Sequence, residues 1–276
     1  MIGHKHLLPL CAALLIAAPA MAAQPTQGDS GFSARTVSAH LTAPQAADFA
    51  KQIENNLAAK GARLAIVFRT GRTRDKLPDG ISYTHGAFWA YGNTSLTDGR
   101  VIKGYGVNNL YHGDGTTLPT NQSYLKQDFP LDFVRGTAVD DVAVIIPSPE
   151  MQRRILQIMA SSQYEALHIR DYALVANPLT AKYQNCNEFM LDVIASGAWE
   201  TTNYSQIKAN LSAHYQPTPV KTNFLQRTFG PMADDRLQLD DHKGQIRTAT
   251  YESMAKFMKD QGLLQEAYVI NREAAK

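Results

Sequence analysis

The start of a helix is encoded by residues 183–190, YQNCNEFM. Asn185 is a residue type that caps helices, and Glu188 stands three positions later, where it completes a capping box. Cys186 is therefore predicted at the first position of a helix that ends near Gly197. At that position the free backbone N–H groups and the positive end of the helix dipole favour a thiolate over a thiol. Such an environment suits a nucleophilic cysteine. The alternative is a cysteine that only packs under its own helix.

A nucleophilic cysteine needs a base, which is most often histidine. Upstream of the helix, residues 81–91 (ISYTHGAFWAY) alternate as in a β-strand, and His85 lies in the middle of this pattern. Gly86 beside it allows close approach of the backbone, and a strand is a rigid support for a base. His85 is thus the predicted general base. The alternative is a core histidine that is bonded to a backbone carbonyl.

A third polar group usually orients such a base. A second strand pattern covers residues 100–111, and His112 follows it, where antiparallel pairing of the two strands places it beside His85. Asn108 has the same strand parity as His112, and Asp114 in the following Gly-Asp-Gly turn is a further candidate. The sequence leaves these three candidates open.

The motifs NCNEF at 185–189 and THGAF at 84–88 resemble those of the circularly permuted branch of the NlpC/P60 papain-like superfamily. Its lecithin-retinol-acyltransferase-like members begin the nucleophile helix in a similar way, and their histidine strand precedes that helix, as it does here. This resemblance covers residues 81–200. The mature chain as a whole is also similar to an uncharacterised exported bacterial family, domain of unknown function 2145.

The resemblance implies an α+β fold with a permuted papain-like core, in which the nucleophile helix packs on an antiparallel sheet. It implies that Cys186 is the nucleophile, that His85 is the base and that His112 orients the base. The chemistry is then acyl transfer through a thioester, on an amide or an ester. Exported members of the superfamily commonly cut cell-wall peptides, and permuted members include lipid acyltransferases and amidases. The expected partner is a peptide, a cell-wall fragment or a lipid.

Three aromatic residues near the expected cleft are candidates for binding such a substrate, namely Tyr83, Trp89 and Tyr111. Tyr83 and Trp89 have the strand parity of His85, and Tyr111 precedes His112. Aromatic side chains suit either a peptide or a lipid, but they also fill protein cores.

Residues 1–23 have the pattern of a secretory signal peptide. Lys5 is the one formal charge, a short apolar run follows, and residues 20–22 (Ala-Met-Ala) form a cleavage site. The apolar run is shorter than the about 20 residues of a membrane span. We therefore expect a cleaved signal rather than an N-terminal anchor, with export to the periplasm and no stable membrane span. The mature chain then keeps Cys186 as its one cysteine and forms no internal disulfide.

The composition describes an ordinary globular protein. The 276 residues are 44% hydrophobic and carry a net charge of +2, which argues against disorder and against nucleic-acid binding. No cluster has metal-ligand spacing, and no glycine-rich phosphate loop or G-x-S-x-G motif occurs, so neither a metal nor a cofactor is expected. We expect a flexible leader (24–41), a papain-like core (42–200) and a C-terminal extension (201–276) that packs on the core.

Further elements follow from periodicity and end signals. Helices are predicted over residues 42–60, from Ser148 onward and around 251–258. The other predicted β elements are strands at 63–70, 141–146 and 172–176 and a hairpin near 236–248.

Two functions compete with that of an exported thiol hydrolase or amidase. A non-catalytic envelope binding or assembly protein with the same fold would tolerate Cys186→Ser, whereas a hydrolase would not. A lipid acyltransferase predicts an apolar cleft and transfer of the acyl group to an acceptor other than water.

Overall fold

A computed structural model describes residues 40–95, 98–221 and 235–273. The predicted signal peptide and the leader up to residue 39 lie outside the described residues. In chain order, the helices and strands are α1 (Ala43–Ala59), β1 (Leu64–Arg69), β2 (His85–Ser95), β3 (Val101–His112), β4 (Ser123–Asp128), α2 (Pro130–Arg135), β5 (Asp141–Pro147), α3 (Pro149–Met159), α4 (Ser162–Ala166), α5 (Cys186–Trp199), α6 (Tyr204–His214), β6 (Thr218–Pro219), β7 (Arg247–Thr248), α7 (Tyr251–Asp260) and β8 (Leu264–Asn271).

Six strands form one antiparallel sheet in the order β4-β3-β2-β1-β5-β8. The predicted α+β class with an antiparallel sheet is thereby confirmed. Strands β2 and β3 are neighbours, as the sequence predicts, and they pair as far as Ser95 with Val101. Residues 92–95, which follow the predicted strand pattern of 81–91, therefore extend β2. Strand β8, which follows residue 200 in the chain, lies at one edge of the sheet. The segment after residue 200 therefore contributes a strand to the same sheet as β2 and β3.

Helices cover both faces of the sheet. On the α5 face, apolar side chains of α3, α5, α6 and α7 pack against the sheet, and Phe88 of β2 belongs to this core. On the opposite face, the α1 face, side chains of α1 and α2 pack against Ala87 and Trp89. Strand β1 (LAIVFR) is buried along its whole length because both of its faces are covered.

The predicted helix starts are confirmed by their caps. The side chain of Thr42 accepts a hydrogen bond from the N–H of Gln45 in a capping box at α1. Ser148 caps α3. At α5, Oδ1 of Asn185 accepts from the N–H of Glu188 at 3.1 Å, and Oε2 of Glu188 accepts from the N–H of Asn185 at 3.3 Å. These caps need only residues within one turn, which is why the sequence reveals them.

Two predicted β elements are wrong. The segment 172–176 forms a single parallel bridge between Tyr172 and Gln184 instead of a strand, because loop contacts such as Leu174 N–H to Arg236 O at 2.8 Å take up its backbone groups. The region 236–248 forms no hairpin with itself. Its last two residues are strand β7, which pairs with β6 at 218–219.

Candidate active site

A cavity of about 350 Å³ lies beside the N-terminus of α5. Five separate segments line it: the loop between β1 and β2, the stretch 172–175, the first residues of α5 with their cap Asn185, Val220 after β6, and residues 237–249. The segment after residue 200 thus provides one wall of the cavity. The amide of Asn187 donates to the carbonyl of Ala249 at 3.1 Å, which ties that wall to the start of α5.

Cys186 lies at the cavity with 5% of its surface exposed. Its Sγ is 4.0 Å from the carbonyl oxygen of Thr84 and 3.8 Å from Oδ1 of Asn187. Burial raises the pKa of the thiol to about 11, while the backbone N–H groups of Gly86 and Asn187 act in the opposite direction. The N–H groups at the helix terminus lower the pKa of the thiol, as expected. Desolvation raises it by more, so the thiol is protonated at neutral pH.

His85 and Cys186 point to opposite faces of the sheet. Neighbouring residues of a strand alternate in direction. Gly86 faces α5, because a Cβ built there would lie 2.3 Å from Cε of Met190. His85 faces the other way, stacked on Tyr111 with ring centroids 5.3 Å apart. The structure does not bring the predicted nucleophile and the predicted base together.

The partner of His85 is Asn109, which the sequence did not single out. Nε2 of His85 donates to Oδ1 of Asn109 at 2.9 Å, and the amide of Asn109 donates to Oδ2 of Asp128 at 3.2 Å. The hydroxyl of Tyr111 donates to the same oxygen at 2.8 Å. Burial, together with the positive charge of Arg69, lowers the pKa of His85 to about 3. His85 is therefore a neutral member of a buried network.

His112 lies on the α5 face, as its parity with Leu110 of that core requires. Its Nδ1 is 2.6 Å from the carbonyl of Gly113, and its Nε2 is 3.2 Å from Nη1 of Arg236. A guanidinium only donates, so Nε2 is the acceptor and Nδ1 carries the proton. The ring of His112 lies 5.2 Å from that of Tyr172, which lines the cavity with Cys186. Of the two predicted histidines, His112 is the one on the Cys186 side.

The two other candidates for the third residue have local partners. The amide of Asn108 donates to the carbonyl of Gly106 at 3.5 Å. Oδ1 of Asp114 accepts from the N–H groups of Thr116 and Thr117 at 2.8 and 2.7 Å, and these bonds lower the pKa of its carboxyl group. Asp114 thus stabilises its own turn.

Of the three predicted substrate-binding aromatics, Tyr83 lines the cavity, and its hydroxyl donates to Asp141 at 2.9 Å. Trp89 and Tyr111 lie on the α1 face, where Trp89 is fully buried among core residues. Tyr172 is a lining residue that the sequence did not single out. Its segment was interpreted as a strand, and nothing local to it indicates a cavity wall.

Two absences are established for the described part of the chain alone. There, no group of three or more His, Cys, Asp or Glu side chains is arranged to hold a metal ion. Over the same residues, no helix combines the length and the apolar composition that crossing a bilayer requires.

The fold and the cavity define an α+β protein with a buried cysteine at a helix N-terminus. The family model described as "Uncharacterized protein conserved in bacteria (DUF2145)" matches residues 56–258, which is more than half of the chain. The chain therefore belongs to this bacterial family, as the sequence resemblance predicts. All the segments that line the cavity fall within the matched range. No curated protein and no solved structure matched the chain.

Proposed function

We propose that the protein is an exported thiol hydrolase or amidase that works by acyl transfer on Cys186. The observation that carries the proposal is the position of Sγ at a cavity beside the N-terminus of α5, with the backbone N–H groups of Gly86 and Asn187 near the sulfur. Such N–H groups are suited to stabilise the oxyanion that forms when a thiolate attacks a carbonyl carbon.

The reaction has two steps. The sulfur of Cys186 forms a bond to the carbonyl carbon of an amide or ester, and the amine or alcohol leaves with the proton of the thiol. Water then attacks the thioester, forms the new C–O bond and breaks the C–S bond. The net result is one carboxylic acid, one amine or alcohol, and a regenerated thiol.

A base must take the thiol proton, because the pKa of about 11 keeps Cys186 protonated in the ligand-free protein. The sequence assigned this role to His85, but strand alternation favours His112, which shares the α5 face with Cys186. The Nδ1–H tautomer of His112 leaves Nε2 as the proton acceptor, provided that Arg236 moves away from it in the loaded site. In this proposal His85 stabilises the sheet and does not touch the substrate.

A permuted papain-like core belongs to the same proposal. It is supported by the order of elements, in which β2 and β3 precede a cysteine-bearing helix that packs on them. Export to the periplasm is supported by the pattern of residues 1–23. A periplasmic enzyme of this kind has cell-wall peptides and other envelope amides within reach.

The direct test is acylation of Cys186 by an activated ester such as p-nitrophenyl butyrate, followed by intact and peptide mass spectrometry. The Cys11→Ser variant of the full chain leaves Cys186 as the single thiol, since the sequence has two cysteines. An adduct on Cys186, its loss in Cys186→Ser, and turnover that stops in His112→Ala support the proposal. Turnover that is unchanged in Cys186→Ser contradicts it.

A second function, a binding protein without catalysis, is favoured by one specific observation. The thiol is buried and protonated, and the lone pair of His112 Nε2 accepts from Arg236 rather than facing a thiol proton. In that case the Cys186→Ser protein should still support the growth of a bacterial strain that requires this protein. If the protein is a hydrolase, the Cys186→Ser protein should fail to support growth.

The third function, a lipid acyltransferase, is favoured by the apolar side chains that form most of the cavity wall. Such an enzyme passes the acyl group from Cys186 to an amine or alcohol acceptor. Adding an acceptor such as glycerol or ethanolamine to the p-nitrophenyl butyrate reaction separates the two enzymes. A transferase forms the acyl-acceptor product, whereas a hydrolase forms only butyrate.

A further inference from the structure

The cavity at Cys186 has a predominantly apolar wall. Apolar side chains enter it from the loop after β1, from the stretch 172–175 and from the C-terminal segment; examples are Leu77, Ile81, Leu174, Leu239 and Ile246. A volume of about 350 Å³ falls in the range of sites for small molecules. A ligand can therefore bury an apolar segment of several carbon atoms next to the sulfur.

The charged side chains among the described lining residues are both cationic. Arg72 and Lys76 line the cavity, and both are exposed on the loop between β1 and β2. Among the described residues that line the cavity, none is Asp or Glu. The nearby Asp75 stands next to Lys76 in the chain but does not belong to the lining. Positive charge at the edge of a low-dielectric cavity attracts a ligand with a negative group.

We infer that the ligand of this cavity is an anionic amphiphile, with an apolar acyl segment inside the cavity and a carboxylate or phosphate group at Arg72 and Lys76. The inference rests on the proposed function in one respect, since the acyl carbon of this ligand is then the atom that Cys186 attacks. The binding preference itself needs no turnover.

The experiment is isothermal titration calorimetry on the full-length Cys186→Ser protein, which binds without forming a thioester. Two probes share one acyl chain and differ only in charge: N-octanoylglycine carries a carboxylate, and N-octanoylglycinamide is neutral. Octyl phosphate is the third probe and separates the two sources of negative charge. Each titration is repeated with Arg72→Gln/Lys76→Gln and with Lys51→Gln as the matched control, because Lys51 is 69% exposed on α1 at the other face of the sheet.

We expect the better of the two anions to bind about tenfold more tightly than the neutral amide, the effect of two solvent-accessible ion pairs. This preference should disappear in Arg72→Gln/Lys76→Gln and persist in Lys51→Gln, and it should shrink in high salt. A preference for octyl phosphate over N-octanoylglycine identifies the group as phosphate, and the reverse order identifies it as carboxylate. Equal affinity for all three probes, or a preference that survives the double substitution, overturns the inference.

The two proposals can fail separately. If Cys186 is never acylated but the charge preference is found, the catalytic proposal fails and the site is a binding site for anionic amphiphiles. If Cys186 is acylated but the neutral and anionic probes bind equally, the catalytic proposal stands and the substrate class is different.

Discussion

Nε2 of His85 donates a hydrogen bond to Oδ1 of Asn109 at 2.9 Å, on the face of the sheet that α1 and α2 cover. The pair is fully buried, and Asn109 in turn donates to Asp128. Because Cys186 lies on the other face, this histidine stabilises the fold instead of serving the thiol. The network joins β2, β3 and β4 through side chains, in addition to their backbone ladder.

His85 makes the stability of the protein depend on pH. Its pKa is about 3 in the folded protein and 6.5 in the unfolded chain, so the unfolded chain binds more protons between these values. The free energy of unfolding therefore falls on acidification through this window, with a contribution of about 2 kcal/mol from this group between pH 7 and pH 5. Urea unfolding of the unaltered protein and of His85→Gln at both pH values measures it.

The comparison with His85→Gln is needed because burial also lowers the pKa of His168, to about 4. The unaltered protein contains both contributions, whereas the variant lacks only that of His85. At pH 7 the variant is expected to be less stable, and at pH 5 this deficit should shrink by about 2 kcal/mol. A deficit that is the same at both pH values would show that His85 is not held neutral by burial.

The thiol of Cys186 should react slowly with iodoacetamide at neutral pH in the ligand-free protein. Its pKa of about 11 means that the rate rises about tenfold per pH unit up to that value. His85→Ala should leave this profile unchanged, because the two side chains lie on opposite faces. The measurement uses the Cys11→Ser background from pH 6 to pH 11, under conditions in which each variant is folded by circular dichroism.

The control for this titration is the same protein unfolded in urea, whose thiol should titrate near the reference pKa of about 8.5. A thiolate that reacts well below pH 8 in the folded protein, and that His85→Ala abolishes, contradicts the assignment of His85 to the fold and restores it as the base.

Gly86 gives room to the helix that carries Cys186. A Cβ at this position would lie 2.3 Å from Cε of Met190 and 2.8 Å from Cδ1 of Phe68. Gly86→Ala should therefore destabilise the protein by about 1–3 kcal/mol, as overpacking of a core does. Gly92→Ala on the same strand is the matched control, because nothing lies within 4 Å of its added Cβ. Equal stability of the two variants in chemical unfolding would rule out a close approach at Gly86.

A buried ion pair joins α5 to α6. Nζ of Lys208 lies 2.7 Å from Oδ1 of Asp192, and the two side chains are 8% and 0% exposed. Lys208→Met leaves the carboxylate of Asp192 buried without its cation, which should cost about 3–5 kcal/mol of stability. The exposed pair of Lys256 and Asp260 provides the control, and Lys256→Met should change stability by no more than about 0.5 kcal/mol.

Lys208→Met/Asp192→Asn tests the cause of the loss at the buried pair, because the amide oxygen can still accept from Gln184 Nε2 and from the Tyr204 hydroxyl but carries no charge. If the loss comes from an uncompensated charge, the double variant should regain most of the stability. Thermal unfolding of the three variants measures it. A double variant that is no more stable than Lys208→Met indicates that the loss comes from packing instead.

The sequence predicts well those features that residues close in the chain determine. The caps at Thr42 and Asn185 involve residues three positions apart, and they place the starts of α1 and α5 within one residue of the prediction, whereas α5 runs two residues past the predicted end at Gly197. The pairing of β2 with β3 follows from two strand patterns, 81–91 and 100–111, that lie close together in the chain. The position of Cys186 at the first residue of its helix is a local feature of the same kind.

The orientation of His85 is not a local feature. Tyr83 belongs to the core of the α5 face, and strict alternation from Tyr83 would place His85 on that same face. Strand β2 begins only at His85, so the alternation does not extend back to Tyr83. Tyr83 belongs to the preceding loop, where its hydroxyl donates to Asp141 and its ring contacts Tyr251. Asn109, the observed partner of His85, lies 24 positions away on the next strand.

By itself the sequence determined the α+β class, the starts of α1, α3 and α5, and the place of Cys186 at the start of α5. The class follows from the helical and alternating patterns along the chain, and hydrogen bonds within one turn set the helix starts. Only the tertiary structure decided that burial outweighs the helix terminus at the thiol, that Arg236 donates to His112, and that residues 237–249 close the cavity. Desolvation and the wall of a cavity depend on segments that are distant in the chain, and these become neighbours only when the helices pack on the sheet.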